Sequence, residues 1–147
     1  MVNDCLSSTL QSAGISNIKE PEYHLRPDGM TLIPFKRGQC LTWDVSCPHP
    51  LCASHVQTNK EPGDLSSTIE LKKRNKYCSL TNNFIFEPVI IDTIGAHGKS
   101  TENLLKLIGK LIIQKTKNKQ SATFFKQRLS VAVQKGNNIA LSFSLEN

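Results

Sequence analysis

The first hydrophobic pattern along the chain predicts a short amphipathic helix. Apolar side chains recur at near-helical spacing within residues 2–13, at Val2, Cys5, Leu6, Leu10 and Ala13. Gly14 follows where such a helix would end, because glycine readily takes the left-handed backbone conformation that closes a helix. We therefore expect one face of this segment to pack against the rest of the domain.

Alternating apolar and β-branched residues then predict short strands. Residues 15–18 favour a brief strand, and residues 23–29 contain the proline and the glycine of a turn. Residues 30–33 alternate as a strand does, residues 36–38 form a basic turn, and residues 39–45 are rich in β-branched and aromatic side chains. The runs 30–33 and 39–45 are therefore predicted to pair as a β-hairpin, with Trp43 on its core side.

The middle of the chain predicts a loop, a surface helix and one more strand. Residues 47–63 contain three prolines and indicate a loop. The mainly polar segment 65–77 is typical of a surface helix that covers a sheet. Residues 84–91 are the most apolar run and predict a buried central strand, although Pro88 favours an interruption or an edge position.

Two amphipathic helices are predicted to close the chain. The first begins at Ser100 and carries a wide apolar face. The second spans residues 121–135, with Phe124 and Phe125 on its core side, and is expected to end at Gly136. The order of elements indicates an α/β domain with a central mixed sheet, a β-hairpin, flanking helices and two C-terminal helices.

Length and composition narrow the class of protein. At 147 residues the chain fits one domain of ordinary size. No apolar run approaches the roughly 18 residues that would span a bilayer, and residues 1–6 lack the features of a secretory signal. We expect an intracellular protein, cytoplasmic or nuclear, that is not a membrane protein and keeps its five cysteines reduced.

Positive charge is the feature of the composition that points to a partner. The net charge is +6, and the lysines gather at residues 72–76 and 106–126. Such clusters suit a polyanion, because each lysine placed on a phosphate releases condensed counterions. A solvated, solubilising surface explains the same pattern equally well.

Two aspartates of the predicted hairpin are the main candidates for chemistry. If the hairpin turns near residues 36–38, Asp28 pairs with a position in the mid-forties and can lie beside Asp44. Two carboxylates supply hard oxygen ligands for Mg²⁺, and a lysine from residues 72–76 could balance the charge of a phosphate. From these residues alone, ordinary surface carboxylates remain the stronger interpretation.

Three longer strings occur in one order along the chain. They are RPDGMTLIP from Arg26 to Pro34, CLTWDVSCP from Cys40 to Pro48, and KRNKY from Lys73 to Tyr77. They resemble the restriction-enzyme-like endonuclease region at the C-terminal end of certain non-LTR retrotransposon polyproteins, here without the reverse transcriptase. That family has the PD-(D/E)xK nuclease fold. The likeness continues through residues 86–88, residues 92–95 with Gly98, and residues 127–128 and 134–137, and it therefore covers nearly the whole chain.

The resemblance implies a fold, an activity and a set of site residues. Residues 1–147 would form a single restriction-endonuclease-like domain, a Mg²⁺- or Mn²⁺-dependent endonuclease that nicks DNA. Asp28 and Asp44 would hold the metal. The Lys-x-x-Lys-Tyr motif would contribute Lys73, Lys76 and Tyr77, with Lys76 preferred because it adjoins the tyrosine.

The standard nuclease pattern has a lysine where this chain has Ser46, so the lysine of the site would come from the helix. Glu20 is a further candidate acid near the metal, although a solvated carboxylate before a proline is the stronger interpretation. The side chains predicted to contact DNA are Arg26, Lys36, Arg37, Lys115, Lys117, Lys119 and Lys126.

Three alternatives stay open on the sequence. The domain could be a decayed, non-catalytic DNA-binding remnant of the same fold, or a protein-interaction module whose charge serves solubility. A zinc site is the third alternative, because four cysteine and histidine side chains fall within nine residues, a tighter spacing than paired zinc knuckles usually have. They are Cys47, His49, Cys52 and His55.

Overall fold

A four-stranded sheet with the strand order β1-β2-β3-β4 forms the centre of the structure, a computed structural model that describes residues 1–22, 25–52, 61 and 63–146. The helices are α1 (Val2–Ser12), α2 (Asp64–Lys76), α3 (Lys99–Thr116) and α4 (Ser121–Leu145). The strands are β1 (Asn17–Lys19), β2 (Gly29–Thr31), β3 (Cys40–Ser46) and β4 (Phe84–Ile90), and a 3-10 helix covers Cys78–Asn82. The predicted α/β class with a mixed sheet is confirmed.

The register of the strands confirms the hairpin that the alternation of residues predicted. Strand β1 pairs antiparallel with β2, and β2 pairs antiparallel with β3, with Gly29 opposite Trp43. Strands β3 and β4 are parallel in continuous register, with Asp44 opposite Pro88. Because Asp28 directly precedes Gly29 and Asp44 directly follows Trp43, the two carboxylates come to the same end of the hairpin.

Strand β4 is an edge strand, so the expectation of a central position was wrong and the alternative indicated by Pro88 was right. The backbone groups of Phe86 and Ile90 face away from β3, since the Phe86 carbonyl accepts from Arg74 and the Ile90 N–H donates to Thr101. Pro88 lies two residues from each of them, so its backbone groups also face away from β3. Its missing N–H therefore faces the open edge, where it interrupts no sheet hydrogen bond.

The helices lie on both faces of the sheet. Leu41, Trp43, Val89 and Ile91 alternate onto the face that packs with apolar residues of α1, α3 and α4 and forms the main core. Thr42, Asp44 and Phe86 alternate onto the opposite face, where α2 lies and the Tyr77 ring stacks on Phe86 with centroids 4.5 Å apart. Trp43 is buried in the core, as predicted.

Helix α4 departs from the prediction in length and in one core residue. It continues through Gly136 to Leu145, and the Asn137 side chain donates to the Thr93 carbonyl oxygen at 2.8 Å. A glycine inside a helix costs about 1 kcal/mol but does not end the helix unless the chain turns away there. Phe125 is buried, but Phe124 is 51% exposed, so its assignment to the core was wrong.

Within the part of the chain that the structure describes, no helix is both long enough and apolar enough to cross a lipid bilayer.

Candidate active site

Two aspartates lie side by side where β2 begins and β3 ends. Asp44 is only 6% exposed, on the face of the sheet that α2 covers. Asp28 is partly buried, and its Oδ2 atom accepts a hydrogen bond of 2.7 Å from the Val45 N–H. This bond ties the loop residue Asp28 to the strand that carries Asp44, so the hairpin itself sets the distance between the carboxylates.

A close approach between strands requires glycine after Asp28. A Cβ atom at Gly29 would overlap the indole ring of Trp43, its partner across the hairpin. The Trp43 Nε1–H donates to the Asn3 side chain at 2.8 Å, and the Asn3 amide donates to the Asp28 carbonyl oxygen at 3.0 Å. Helix α1 therefore supports the site through Asn3, which the sequence analysis missed because a single asparagine on an amphipathic helix carries no distinctive signal.

Helix α2 brings a lysine and a tyrosine to Asp44. Lys73 forms an ion pair with Asp44 Oδ2, and the Tyr77 hydroxyl donates to Asp44 Oδ1 at 3.2 Å. Lys73 and Tyr77 are four residues apart, so both side chains lie on one face of the helix. Tyr77 is fully buried, which makes Asp44 a carboxylate held between two donors at the junction of helix and sheet.

Lys76, on the same helix, has different surroundings from Lys73. Lys76 is exposed, and its Nζ atom lies 5.0 Å from the centroid of the Tyr77 ring. Each residue of an α-helix advances by about 100°, so neighbours of Tyr77 cannot share its direction. Lys73, and not the preferred Lys76, is therefore the lysine of the motif that contacts Asp44, and the choice of the lysine that serves the site stays a prediction.

Burial and nearby negative charge raise the pKa values of two groups at the site. Burial raises the pKa of Asp28 above its usual value, the Val45 N–H and Lys73 oppose this, and the nearby Asp44 and Glu20 carboxylates add to it. Burial, together with the Asp44 carboxylate that accepts its hydrogen bond, raises the pKa of Tyr77 to about 12. Burial therefore disfavours the ionised form of Asp28, and a bound cation would favour it.

The chemistry of the donors fits a hard divalent cation. Asp28 and Asp44 supply oxygen atoms, and Mg²⁺ normally accepts one or two carboxylates while water and phosphate oxygens complete its shell. Among the described residues, no group of three or more histidine, cysteine, aspartate or glutamate side chains is placed to hold a metal. Glu20 donates its backbone N–H to the Asp28 carbonyl oxygen at 2.9 Å, but its side chain is exposed.

The alternative zinc cluster falls partly outside the described residues, because His55 lies there. Of its other members, His49 shares a hydrogen bond of 2.7 Å between its Nδ1 atom and the Thr93 hydroxyl, and Cys47 is exposed. A zinc site at this loop therefore stays a prediction.

Most side chains predicted to contact DNA lie away from the aspartates. Lys36 and Arg37 are exposed at the turn before β3, and Asp44 follows further along that strand. At about 3.3 Å per residue, the four residues from Cys40 to Asp44 alone account for roughly 13 Å of strand. Lys115 lies beside Gly14, which precedes β1, and Asn17 of β1 pairs with Thr31 at the end of β2 that leads to Lys36. Lys117 and Lys119 follow Lys115 along the chain and are exposed.

The two remaining side chains predicted to contact DNA are Arg26 and Lys126. Arg26 is exposed two residues before Asp28, with a backbone φ of 46°. Lys126 lies on α4 and lines a cavity with His97 and Glu102. Of the predicted cations for DNA, Arg26 is therefore the one that lies next to the aspartates along the chain.

The structure also reveals two polar residues of α2 that the sequence analysis did not single out. Glu70 is 6% exposed and accepts hydrogen bonds from the backbone and hydroxyl of Thr101. Arg74 donates to the Phe86 carbonyl oxygen and forms an ion pair with Glu87. In sequence both resemble solvated helix residues, and only their contacts distinguish them.

The chain matches no protein-family model and no curated protein.

Proposed function

We propose that this chain is a metal-dependent DNA endonuclease domain with a restriction-endonuclease-like core, of the kind that non-LTR retrotransposon polyproteins carry. One observation carries the proposal: Asp28 and Asp44 lie side by side on a hairpin, and Lys73 from the next helix contacts Asp44. The order helix, three antiparallel strands, helix and parallel strand supports it, as does the RPDG string around Asp28.

In this proposal Asp28 and Asp44 hold Mg²⁺ or Mn²⁺. The ion would polarise a phosphodiester and lower the pKa of a coordinated water. The protein fixes the two carboxylates before substrate arrives, through the Val45 N–H for Asp28 and the Tyr77 hydroxyl for Asp44. Such preorganisation is what electrostatic catalysis requires, because no side chain then has to reorient during the reaction.

In this proposal Lys73 would interact with the phosphate of the bound DNA. Its ammonium lies at Asp44 and its side chain keeps partial access to solvent, at 21% exposed. An ammonium in that position can donate to a phosphate oxygen or to the attacking water beside the carboxylates. This assigns to Lys73 the role for which the standard nuclease pattern uses a lysine two residues after the second acid, the position of Ser46 here.

A second candidate function is a DNA-binding remnant that does not cut. The observation that favours it is the separation of the exposed lysines near residues 115–119 from the aspartates. Phosphate contacts at that end of the sheet could bind DNA without bringing a phosphodiester to Asp44. The two functions differ in whether binding leads to hydrolysis.

Nicking of supercoiled plasmid tests the proposal. Purified protein with Mg²⁺ or Mn²⁺ should convert supercoiled DNA to open circles, and the double variant Asp28→Asn/Asp44→Asn should not. The matched control is Glu102→Gln/Glu146→Gln, which makes the same change in net charge at carboxylates of α3 and of the end of α4. The control should retain nicking.

An inactive wild-type protein with both metals would overturn the endonuclease proposal. If it then bound DNA with strong salt dependence, the remnant function would stand.

A further inference from the structure

Helix α2 has little apolar surface with which to fix its own position. Its buried residues are Leu65, Ser66 and Glu70, and Tyr77 follows at its C-terminal cap. Two of these four are polar, whereas α3 buries a row of leucine and isoleucine side chains. Since apolar contact is non-directional and sparse here, the rotation and axial position of α2 must depend on its polar contacts.

Glu70 makes the central polar contact. Its Oε1 atom accepts from the Thr101 N–H at 3.0 Å and from the Thr101 hydroxyl at 2.6 Å. Thr101 lies in the first turn of α3, whose N-cap residue, Gly98, provides no side-chain cap. A carboxylate at this point satisfies an amide that has no partner within its own helix, and its charge suits the positive end of the helix dipole.

The contact leaves no room for a side chain at the cap. A Cβ atom at Gly98 would lie 2.6 Å from the Glu70 carboxyl group. The Thr101 hydroxyl also accepts from the Ile90 N–H at 3.0 Å and lies 3.3 Å from the Pro88 carbonyl oxygen. Glu70 is therefore joined, through one threonine, to both α3 and the open edge of β4.

Arg74 repeats the attachment one turn later. Its guanidinium donates to the Phe86 carbonyl oxygen at 3.1 Å and to Glu87 Oε2 at 2.7 Å, and it also contacts Ser100. Glu70 and Arg74 are four residues apart, so they share a side of α2 and fix it to one edge of the sheet at two points. Two such points define both the rotation and the axial position of a helix.

We propose that Glu70 is a positioning residue for the candidate active site: by capping α3 from α2, it sets the rotation of α2 that holds Lys73 at Asp44. A shift of α2 by one residue would turn its side chains by about 100° and move them by about 1.5 Å, which would take Lys73 away from the carboxylate. As far as it concerns catalysis, this inference rests on the proposed endonuclease function.

Chemical labelling of lysine amines tests the positioning directly. In the wild-type protein, Lys73 should react more slowly with an amine reagent than the exposed Lys72 and Lys76, as measured by mass spectrometry of peptides. In Glu70→Ala, the Lys73 rate should rise to that of its two neighbours. In Glu70→Gln, which keeps an oxygen acceptor for Thr101, Lys73 should stay protected.

A control separates positioning from general loss of stability. Leu129→Ala removes a buried side chain of α4 on the other face of the sheet and should lower the melting temperature without changing the Lys73 rate. If Glu70→Ala does not fold, Glu70→Met serves in its place, because it removes both acceptor oxygens and keeps the length of the side chain. Protection of Lys73 in a folded Glu70→Ala or Glu70→Met protein would overturn the inference.

The labelling needs neither metal nor DNA, so its result is independent of whether the protein cuts DNA. If the wild-type protein nicks plasmid, Glu70→Ala should lower kcat with little change in KM for DNA, and Glu70→Gln should retain activity. Equal kcat values for wild type and Glu70→Ala would refute the catalytic part of the inference. An inactive wild type would refute the proposed function alone, and the labelling would still decide whether Glu70 positions Lys73.

Discussion

The Tyr77 hydroxyl and the Asp44 carboxylate define the candidate site at the scale of single residues. A phenol donates to an ionised carboxylate most readily when both are shielded from water, and Tyr77 is 1% exposed while Asp44 is 6% exposed. From the sequence, Asp44 was expected as a metal ligand and Tyr77 as part of the Lys-x-x-Lys-Tyr motif, and no contact between them was predicted. Their hydrogen bond depends on where α2 rests on the sheet.

Titration of Tyr77 gives the first prediction. In a Tyr23→Phe background, the absorbance of tyrosinate should appear with a pKa of about 12, well above the usual 10.0. Because the folded-state pKa is raised, the stability from this group is complete below pH 10 and is lost as pH rises through about 12. Asp44→Asn should lower the pKa only in part, since burial, the largest single cause, remains in the variant; a pKa near 10 in the wild type would contradict the buried pairing.

The ion pair between Lys73 and Asp44 gives the second prediction. Lys73→Met leaves a buried carboxylate with one donor fewer and should lower the free energy of unfolding by about 1–3 kcal/mol. The double variant Lys73→Met/Asp44→Asn should recover part of that loss, because it removes the unpaired charge as well. Urea unfolding of the single and double variants measures the coupling, and strictly additive losses would show that the two side chains act independently.

At the scale of elements, the register of the hairpin depends on Gly29. Strand β2 is short and spans only Gly29–Thr31. Where it pairs with β3, the Trp43 indole lies against Gly29. The hairpin could be predicted from the sequence because alternation and turn chemistry are local properties. The contact of the Trp43 ring with Gly29 could not, because it depends on strand pairing.

Two alanine substitutions of glycine should therefore change stability in opposite directions. Gly29→Ala forces a methyl group into the Trp43 ring and should lower the free energy of unfolding by about 1–3 kcal/mol or more. Gly136→Ala places the methyl group in open space within α4 and should raise it by about 0.5–1 kcal/mol, because glycine loses more chain entropy in a helix. Thermal unfolding monitored by circular dichroism measures both, and a destabilising Gly136→Ala would mean that the helix does not continue there.

At the scale of the whole molecule, the two faces of the sheet serve different purposes. One face packs with α1, α3 and α4 into an apolar core, while the face under α2 carries the buried Asp44, and α2 itself buries Glu70. Burying a charge is unfavourable unless the charge is paired, so packing alone stabilises the face under α2 less than it stabilises the apolar core. A bound cation would add stability there.

Binding of a divalent cation should appear as a change in global stability. Mg²⁺ or Mn²⁺ at 100 times its dissociation constant should raise the free energy of unfolding by about 2.7 kcal/mol, and the Asp28→Asn/Asp44→Asn variant should show no such rise. Without metal, the raised pKa of Asp28 means that its contribution to stability is complete below its usual value of 3.8 and is lost as pH rises through the folded-state pKa.

With metal the dependence on pH reverses, because the ion binds the ionised carboxylate. The metal-induced shift in melting temperature should shrink as pH falls toward the pKa of Asp28, and calorimetry at several pH values measures it. An equal shift in the wild type and the double variant would place the metal elsewhere.

Local patterns in the amino-acid sequence determine much of this molecule. The spacing of apolar residues defines α1, the hairpin and the starts of α3 and α4, and it places Trp43 in the core and Asp44 on the opposite face. These features follow from periodicity, which depends only on neighbouring residues and on one buried face. The positions of Asp28 and Asp44 relative to the predicted turn were therefore enough to pair them.

Tertiary structure decides the features that depend on how elements pack. The sequence alone favoured Lys76, but the rotation of α2 brings Lys73 to Asp44. That rotation depends on the contact of Glu70 with Thr101, which lies 31 residues away along the chain. Local periodicity carries no information about such a contact, because it reports which face of a helix is buried and not which partner that face will meet.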